Sequence, residues 1–166
     1  MIETERLIIR KLVETDLPEY ERTLNDAMLS FMGPKEFLNW FISQYAEMDI
    51  QNSIICFGMF DKTTGVLLGT VGAGRHDDLH EPEIFYALLP ESRGKGFATE
   101  ATKAVIDWVF EHYKIPYLIA TAGIDNIKSQ KVLERCGFQF ISVKNLLVHI
   151  KDKKYDFKYY RYYPTK

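Results

Sequence analysis

The sequence predicts an α+β fold in which a mixed, mostly antiparallel central sheet of about seven strands is flanked by about four helices. Three observations predict it. Short apolar runs alternate with helical patterns in the order β-α-α-β-β-β-α-β-α-β-β. Three of these strands follow one another across short turns, which favours antiparallel pairing. The 166 residues contain no repeat, linker or low-complexity stretch, so we expect a single domain over residues 1–166.

The N-terminal part predicts one strand and two helices. The β-branched run Leu7–Leu12 predicts the first strand. Thr15 can cap a first helix over Asp16–Asn25. Pro34 can open a second helix to about Met48, because apolar residues recur there at helical spacing. We expect that apolar stripe to pack in the core.

Three strands are predicted in the middle of the chain. Ile54–Phe60 and Val66–Gly74 predict a hairpin, because a polar turn with a glycine separates them. A polar loop, His76–His80, then precedes a third strand, Glu83–Leu89. Two histidines flank two aspartates in that loop, but we expect the loop to be solvated and predict no metal site in it.

The C-terminal part predicts two helices and three strands. A strongly amphipathic helix is expected over residues 97–113. The short apolar run Tyr117–Ala122 predicts a strand, and Asn126–Arg135 predicts a helix that ends before a glycine. Phe138–Val143 and Tyr155–Tyr163 are expected to complete the sheet.

Composition and charge exclude several classes of protein. The net charge of −2, from 21 basic and 23 acidic residues, does not favour a nucleic-acid partner. Apolar runs are too short for a membrane span, and the N-terminus lacks the apolar core of a signal peptide. Cys56 and Cys136 lie outside any C-x-x-C pair, which predicts two free thiols in a reducing compartment. We therefore expect a cytoplasmic protein without a membrane partner.

The segment between the strand ending at Leu89 and the next helix carries the clearest chemical signal. Glycines allow a backbone to approach a ligand closely. The first amides of a helix lack internal partners and lie at the positive end of the helix dipole. The segment therefore predicts a pyrophosphate site, in which a threonine adds a hydroxyl and two basic residues add positive charge. Its residues are Arg93, Gly94, Lys95, Gly96, Phe97, Ala98 and Thr99.

Other glycine-rich phosphate loops fit this segment poorly. The Walker A pattern G-x-x-x-x-G-K-[ST] is absent from the chain. The dinucleotide fingerprint G-x-G-x-x-G/A needs Gly or Ala where this chain has Thr99, and the strands before the loop look antiparallel. A plain turn into the helix remains the structural alternative.

The loop also matches the pattern [Q/R]-x-x-G-x-[G/A], filled by Arg93, Gly96 and Ala98. This pattern resembles the pyrophosphate loop of the GNAT acetyltransferase superfamily. Because the similarity continues along nearly the whole chain with consistent spacing, it is specific. Three further segments resemble the RimJ/RimL-like branch of that superfamily: Thr4–Arg10, Glu83–Leu88 and Asp125–Phe138.

The resemblance implies a GNAT-type fold that takes acetyl-CoA as co-substrate and needs no metal. In that family the fourth and fifth strands splay apart at one end, and the pantetheine arm inserts between them. Here those strands are Glu83–Leu89 and Tyr117–Ala122. The amides of Leu88 and Leu89 are therefore expected to bind the pantetheine and the thioester carbonyl.

The resemblance further implies acetyl transfer to a primary amine by direct attack in a ternary complex. The amine must lose a proton before it attacks. The RimJ/RimL-like branch places a carboxylate on this strand facing the acceptor, so Glu83 is the predicted general base and a water relay is the alternative. Tyr86 lies three residues further along and is expected on the opposite face, as a packing residue.

The leaving thiolate needs a stabilising group. Many members of the superfamily have a tyrosine in the helix after the asparagine, but this chain has Leu133 there. The RimJ/RimL-like branch offers a serine, which matches Ser129 and would donate a hydrogen bond to sulfur. Asn126 either contacts CoA or caps its helix.

The resemblance leaves the acceptor open between a protein N-terminal amine and a small-molecule amine. A different function, a non-catalytic acyl-CoA-binding sensor or scaffold module, would keep the glycine-rich loop and lose the acceptor-side carboxylate. The aromatic segment Tyr155–Tyr163 is expected to form either a pocket wall or the surface of a homodimer.

Overall fold

The computed structural model describes residues 1–165, and its eight strands form one sheet. The strands are β1 (Ile2–Glu3), β2 (Leu7–Lys11), β3 (Ile54–Asp61), β4 (Leu67–Arg75), β5 (Pro82–Leu88), β6 (Leu118–Gly123), β7 (Gln139–Val148) and β8 (Lys153–Tyr162). Their order across the sheet is β1-β2-β3-β4-β5-β6-β8-β7, and neighbouring strands are antiparallel except β5 and β6. The α-helices are α1 (Leu17–Tyr20), α2 (Asp26–Phe31), α3 (Pro34–Gln44), α4 (Phe97–His112) and α5 (Ile127–Arg135).

The two faces of the sheet bury separate apolar clusters. Because side chains alternate along a strand, Ile55 and Phe57 of β3 join the larger cluster, which includes the apolar side of α4. Cys56 and Phe60 point the other way and pack with residues of α1 and α3. The helices therefore cover both faces of the sheet, as the α+β prediction requires.

The sequence predicted one continuous helix over Asp16–Asn25, and this prediction is wrong. The chain there forms short 3-10 turns on either side of the four-residue helix α1, and Thr15 lies inside the first of these turns. Asn25 then begins a new helix, α2, by accepting a hydrogen bond from the Met28 amide at 2.9 Å. Asparagine competes for backbone bonds inside a helix and favours the N-cap position, which explains the break.

Other boundaries differ at the edges of the sheet. The sequence did not predict β1, which pairs with β2 and raises the strand count from about seven to eight. The predicted strand Phe138–Val143 continues to Val148, because β7 pairs with β8 along its whole length. Helix α3 ends at Gln44 instead of Met48.

The splay that the family resemblance implied between the fourth and fifth predicted strands lies between β5 and β6, because β1 adds one strand before them. These parallel neighbours share a single register pair, Glu83 with Ile119. On its other side β5 pairs with β4 from Pro82 to Leu88. The carboxyl-terminal half of β5 therefore has a backbone partner on one side only, and a gap opens beside it. None of the helices within residues 1–165 has the length and apolar character that a membrane crossing needs.

Candidate active site

The glycine-rich loop ends at the N-terminus of α4. Gly94 and Gly96 have φ angles of +76° and +83°, which residues with a Cβ rarely adopt. Gly96 is the N-cap residue of α4 and provides no side-chain cap. The amides of Phe97, Ala98 and Thr99 precede the first helical hydrogen bond, from Glu100 N to Gly96 O. These amides and the helix dipole fit a pyrophosphate.

Arg6, in the turn between β1 and β2, fixes this loop from outside. Its guanidinium donates to the Lys95 carbonyl at 2.9 Å and to a carboxylate oxygen of Glu100 at 2.7 Å, and lies 4.3 Å from the centre of the Phe97 ring. Burial opposes ionisation of Glu100, but hydrogen bonds from Thr4 and Arg6 outweigh it and keep the pKa of this carboxyl below its usual value. Sequence reasoning missed this role, because about ninety positions separate Arg6 from the loop.

The end of β5 presents backbone groups to the gap. The Leu89 amide donates to Leu68 O at 2.9 Å, and bonded and non-bonded pairs alternate along antiparallel strands. The Leu88 amide therefore points away from β4, toward the gap. Arg93 Nε donates to Leu88 O at 3.3 Å and holds this end of the strand. The Leu89 amide is engaged within the sheet, which corrects the expectation that it also binds pantetheine.

Glu83 lies where β5 and β6 still pair, on the face opposite α4. Its carboxyl accepts a hydrogen bond from Thr121 Oγ1 at 3.3 Å, and 21% of its side chain is exposed. Burial raises the pKa of Glu83 to about 8, against the lowering effect of Thr121 and with a further rise from Asp77. Near neutral pH the group is mostly protonated, and above pH 8 it becomes a carboxylate that can accept a proton.

His76 packs against Glu83. Its Nδ1 accepts hydrogen bonds from the amides of Asp78 and Leu79, both at 3.1 Å, so the neutral ring carries its proton on Nε2. That nitrogen lies 3.8 Å from Glu83 Oε2, and only 11% of the His76 side chain is exposed. Burial lowers the pKa of His76 and favours the neutral ring. The expectation of a solvated loop is therefore wrong for His76, although His80 is exposed.

The sequence predicted no metal site in the His76–His80 loop. Within residues 1–165, no group of three or more His, Cys, Asp or Glu side chains is arranged to hold a metal ion.

The two thiols are free and buried, and burial raises the pKa of Cys136 to about 11. Its sulfur lies 3.8 Å from the Thr99 carbonyl, which is a packing position at the base of α4.

A pair of hydroxyl groups lies on the opposite face of β5. Tyr86 Oη is 2.7 Å from Ser129 Oγ and donates to the Ser129 carbonyl at 3.3 Å. Asn126 Oδ1 accepts from the Ser129 amide at 3.2 Å, so Asn126 caps α5. Leu133 is buried. Tyr86 thus packs against the core, as expected, and also contacts Ser129, which the sequence did not indicate.

Two adjoining pockets lie on the Glu83 face. The first has a volume of about 210 Å³ and the second about 680 Å³. Val148 and Phe157 line both. The first is also lined by Ile54, Arg75, His76, Asp77, Glu83, Leu146, Leu147, His149 and Ile150. The second is also lined by Gly123, Ile124, Asp125, Asn126, Lys151, Tyr155 and Asp156.

Comparison with known families agrees with this geometry. Residues 6–139 match the family model described as "Acetyltransferase (GNAT) domain". The chain belongs to the GNAT acetyltransferase family. This GNAT chain is 27% identical over 167 residues to the "Uncharacterized N-acetyltransferase YoaA" of Bacillus subtilis (strain 168), a match that covers 96% of the chain and 94% of that relative. The family assignment makes the protein an acetyl-CoA-dependent N-acetyltransferase, as the resemblance of the loop predicted.

Solved structures share the GNAT fold. RimL, the ribosomal L7/L12 alpha-N-protein acetyltransferase solved in complex with coenzyme A, superposes with a TM-score of 0.77 at 13% identity, over 96% of this chain and 95% of the RimL chain. A chimera of the spermidine N-acetyltransferase SpeG from Vibrio cholerae gives 0.75 at 20% identity, over 96% of both chains. At these identities the likeness extends to the fold alone.

Proposed function

We propose that this protein transfers the acetyl group of acetyl-CoA to a primary amine by direct attack in a ternary complex, with Glu83 as the general base. The observation that carries the proposal is the position of Glu83. The side chain faces a pocket beside the gap between β5 and β6, and its pKa of about 8 suits proton abstraction from an amine.

The donor side of the gap suits the CoA moiety. The amides of residues 97–99 would hold the pyrophosphate, and the exposed side chains of Arg93 and Lys95 would add positive charge. The Leu88 amide would bond the pantetheine at the end near the pyrophosphate, since it lies about 16 Å along the extended strand from Glu83. Much of the rate enhancement would come from holding the two reactants together.

The proton and the leaving group would move on opposite faces of β5. Glu83 accepts a proton from the ammonium, and the free amine attacks the thioester carbonyl to form the C–N bond. The C–S bond then breaks, and the second proton lost by the nitrogen passes to the departing thiolate, which leaves as CoA thiol. Ser129 donates a hydrogen bond to the departing sulfur, and Tyr86 holds the Ser129 hydroxyl in place. Neither of these two hydroxyls is a strong acid, so the role of Ser129 is stabilisation of the thiolate.

The polar surroundings of Glu83 favour catalysis over a binding-only module. A sensor that only bound acyl-CoA would not need a partly buried carboxyl with a threonine and a histidine placed around it. We also propose that the chain belongs to the RimJ/RimL-like branch, supported by the Glu-x-x-Tyr and Asn-x-x-Ser segments, and that it acts in the cytoplasm, supported by its two free thiols.

Thermal melting with acetyl-CoA, CoA and NAD tests the donor assignment, and release of CoA thiol in the presence of amines tests the reaction. A ligand at 100 times its Kd stabilises the folded protein by about 2.7 kcal/mol. We expect stabilisation by acetyl-CoA and CoA but not by NAD, and amine-dependent thiol release that is lost in Glu83→Gln. Amine-dependent turnover at the wild-type rate by Glu83→Gln would contradict the role of Glu83 as base.

A further inference from the structure

The first pocket on the Glu83 face is small and mostly apolar. Its volume of about 210 Å³ lies below the roughly 300–1,000 Å³ of pockets that hold drug-sized ligands. It can therefore enclose only the reacting end of an acceptor. Its apolar walls come from β3, the end of β7, the turn after β7 and β8: Ile54, Leu146, Leu147, Val148, Ile150 and Phe157.

The charges around this pocket are balanced. Near neutral pH Asp77 contributes a carboxylate and Arg75 a guanidinium, whereas Glu83 is mostly protonated; the His149 ring faces the same space. In the second pocket Lys151 accompanies Asp125 and Asp156, and Asp156 already accepts a hydrogen bond from Asn145. An acceptor with several ammonium groups would therefore meet cations as well as carboxylates. An ammonium buried without a carboxylate partner is costly.

The second pocket adjoins the first. The two share the side chains of Val148 and Phe157, so parts of one acceptor can contact both pockets. The second pocket is larger and has fewer apolar side chains in its walls, where Asp125 and Asn126 are among the polar groups. A polar chain would fit there while an apolar group attached near the amine occupies the first pocket.

From this arrangement we infer that the acceptor is a singly charged amine bearing an apolar substituent next to the reacting nitrogen, as in an α-amine beside an apolar side chain. The inference rests on the proposed function and names the substrate class of the same site. The amine lies at Glu83, and the apolar substituent contacts Val148 and Phe157. A free amino-acid amide and a peptide N-terminus share this chemistry, and the second pocket accommodates the continuing chain of a peptide.

The experiment compares initial rates of acetyl transfer from acetyl-CoA to leucinamide, glycinamide, spermidine and a leucine-initiated tripeptide. An apolar contact of this size changes kcat/KM by about 10- to 200-fold. We expect leucinamide to exceed glycinamide by at least about tenfold and spermidine to be the poorest acceptor. Equal or higher kcat/KM for glycinamide or spermidine would overturn the inference and leave the proposed function intact. Failure to acetylate any amine would instead contradict the proposed function.

The tripeptide distinguishes the two sources of such an amine, a peptide N-terminus and a small molecule. A lower KM for the tripeptide than for leucinamide indicates that a peptide chain occupies the second pocket. Equal KM values assign the acceptor to small amines. Either result supports an apolar, singly charged acceptor provided that leucine exceeds glycine in the same series.

A matched pair of variants locates the specificity. Val148→Asp places a carboxylate in the wall shared by both pockets, and Val143→Asp makes the same change on β7 at a side chain that is 48% exposed and lines neither pocket. We expect Val148→Asp to raise KM for leucinamide at least about tenfold and to narrow its advantage over spermidine, with Val143→Asp like wild type. If Val148→Asp does not fold, Val148→Thr makes the milder change. Unchanged selectivity in a folded Val148 variant would overturn the inference.

Discussion

The hydroxyl groups of Tyr86 and Ser129 lie 2.7 Å apart and connect β5 to α5. Burial raises the pKa of Tyr86, so the phenol keeps its proton at neutral pH and can donate it to Ser129. The phenol has one proton for two acceptors, the Ser129 carbonyl at 3.3 Å and the Ser129 hydroxyl at 2.7 Å. When it donates to the nearer hydroxyl, Ser129 keeps its own proton for another acceptor. With Leu133 at the usual tyrosine position, this pair is the candidate for stabilising a departing sulfur.

We expect Tyr86→Phe to lower kcat by about three- to tenfold, the equivalent of one hydrogen bond, with little change in the KM for acetyl-CoA. Ser129→Ala should lower kcat at least as much. Because Tyr86 acts through Ser129, the double variant should be no slower than Ser129→Ala, which steady-state kinetics can measure as a double-mutant cycle.

Tyr113→Phe is the matched control for this cycle. The Tyr113 hydroxyl also donates a hydrogen bond from a partly buried position, to the Met48 carbonyl at 2.5 Å, but lies away from the gap. We expect it to change the melting temperature and leave kcat unaltered. Additive losses in the Tyr86 and Ser129 variants would show that the two hydroxyls act independently.

The order of the main elements was predictable because each carries a strong local signal. The long apolar stripe of α4 and the glycine turn between β3 and β4 do not depend on distant residues. The early helices were less predictable, because Asn25 can lie within a helix or cap one, and packing on the sheet decides. The two-residue strand β1 has no pattern of its own and exists through pairing with β2.

The candidate site was predictable where a motif determines the backbone. The Gly96 turn and the free amides after it follow from local sequence. The contacts of Arg6, His76 and Tyr86 could not be predicted in this way. Each of them joins elements that are distant in the chain or depends on how a loop folds back. In the structure, the His76 ring accepts hydrogen bonds from the amides of Asp78 and Leu79. The sequence does not single out this arrangement, because a histidine shortly before other residues occurs in many surface turns.

The rate of acetyl transfer should follow the ionisation of Glu83. Since the pKa of this carboxyl is about 8, we expect kcat/KM to rise with pH and level off above that value. Glu83→Gln should lower kcat/KM by about 10²-fold or more and remove this component of the pH profile. Because both enzymes are measured with the same amine, the ionisation of the amine contributes equally to the two pH profiles and cancels in their ratio. Glu111→Gln, an exposed change on α4, is the control and should keep the wild-type pH profile. An unaltered pH profile in Glu83→Gln would show that a water relay, not Glu83, removes the proton from the amine.

The same group should make stability depend on pH. The folded protein keeps Glu83 protonated up to about pH 8, whereas the unfolded chain ionises it near 4.5. The favourable contribution of the protonated form is thus complete below pH 4.5 and is lost as the pH rises to 8. Glu83→Gln does not ionise, so we expect its free energy of unfolding to exceed that of wild type above pH 8 by at least about 1.4 kcal/mol, the equivalent of one pKa unit.

Denaturant titrations at pH 5, 7 and 9 measure this difference. The advantage of Glu83→Gln should grow from pH 5 to pH 9, and Glu111→Gln should show no such trend. A constant difference across the three pH values would mean that Glu83 has an ordinary pKa in the folded protein, and the interpretation of the rate profile would fall with it.

The glycine-rich loop can be tested with a substitution that separates ligand binding from backbone strain. Gly96 and Gly65 both have positive φ, +83° and +76°, so a side chain at either position is strained. Gly96 adjoins the open amides of α4, while Gly65 lies in the turn between β3 and β4, where a Cβ meets nothing within 4 Å. We expect Gly96→Trp to abolish binding of acetyl-CoA and CoA in calorimetry, and Gly65→Trp to lower the melting temperature with binding retained. If Gly96→Trp does not fold, Gly96→Ala should still weaken binding more than Gly65→Ala does. Equal affinity in the two alanine variants would show that the CoA pyrophosphate is held elsewhere than at the N-terminus of α4.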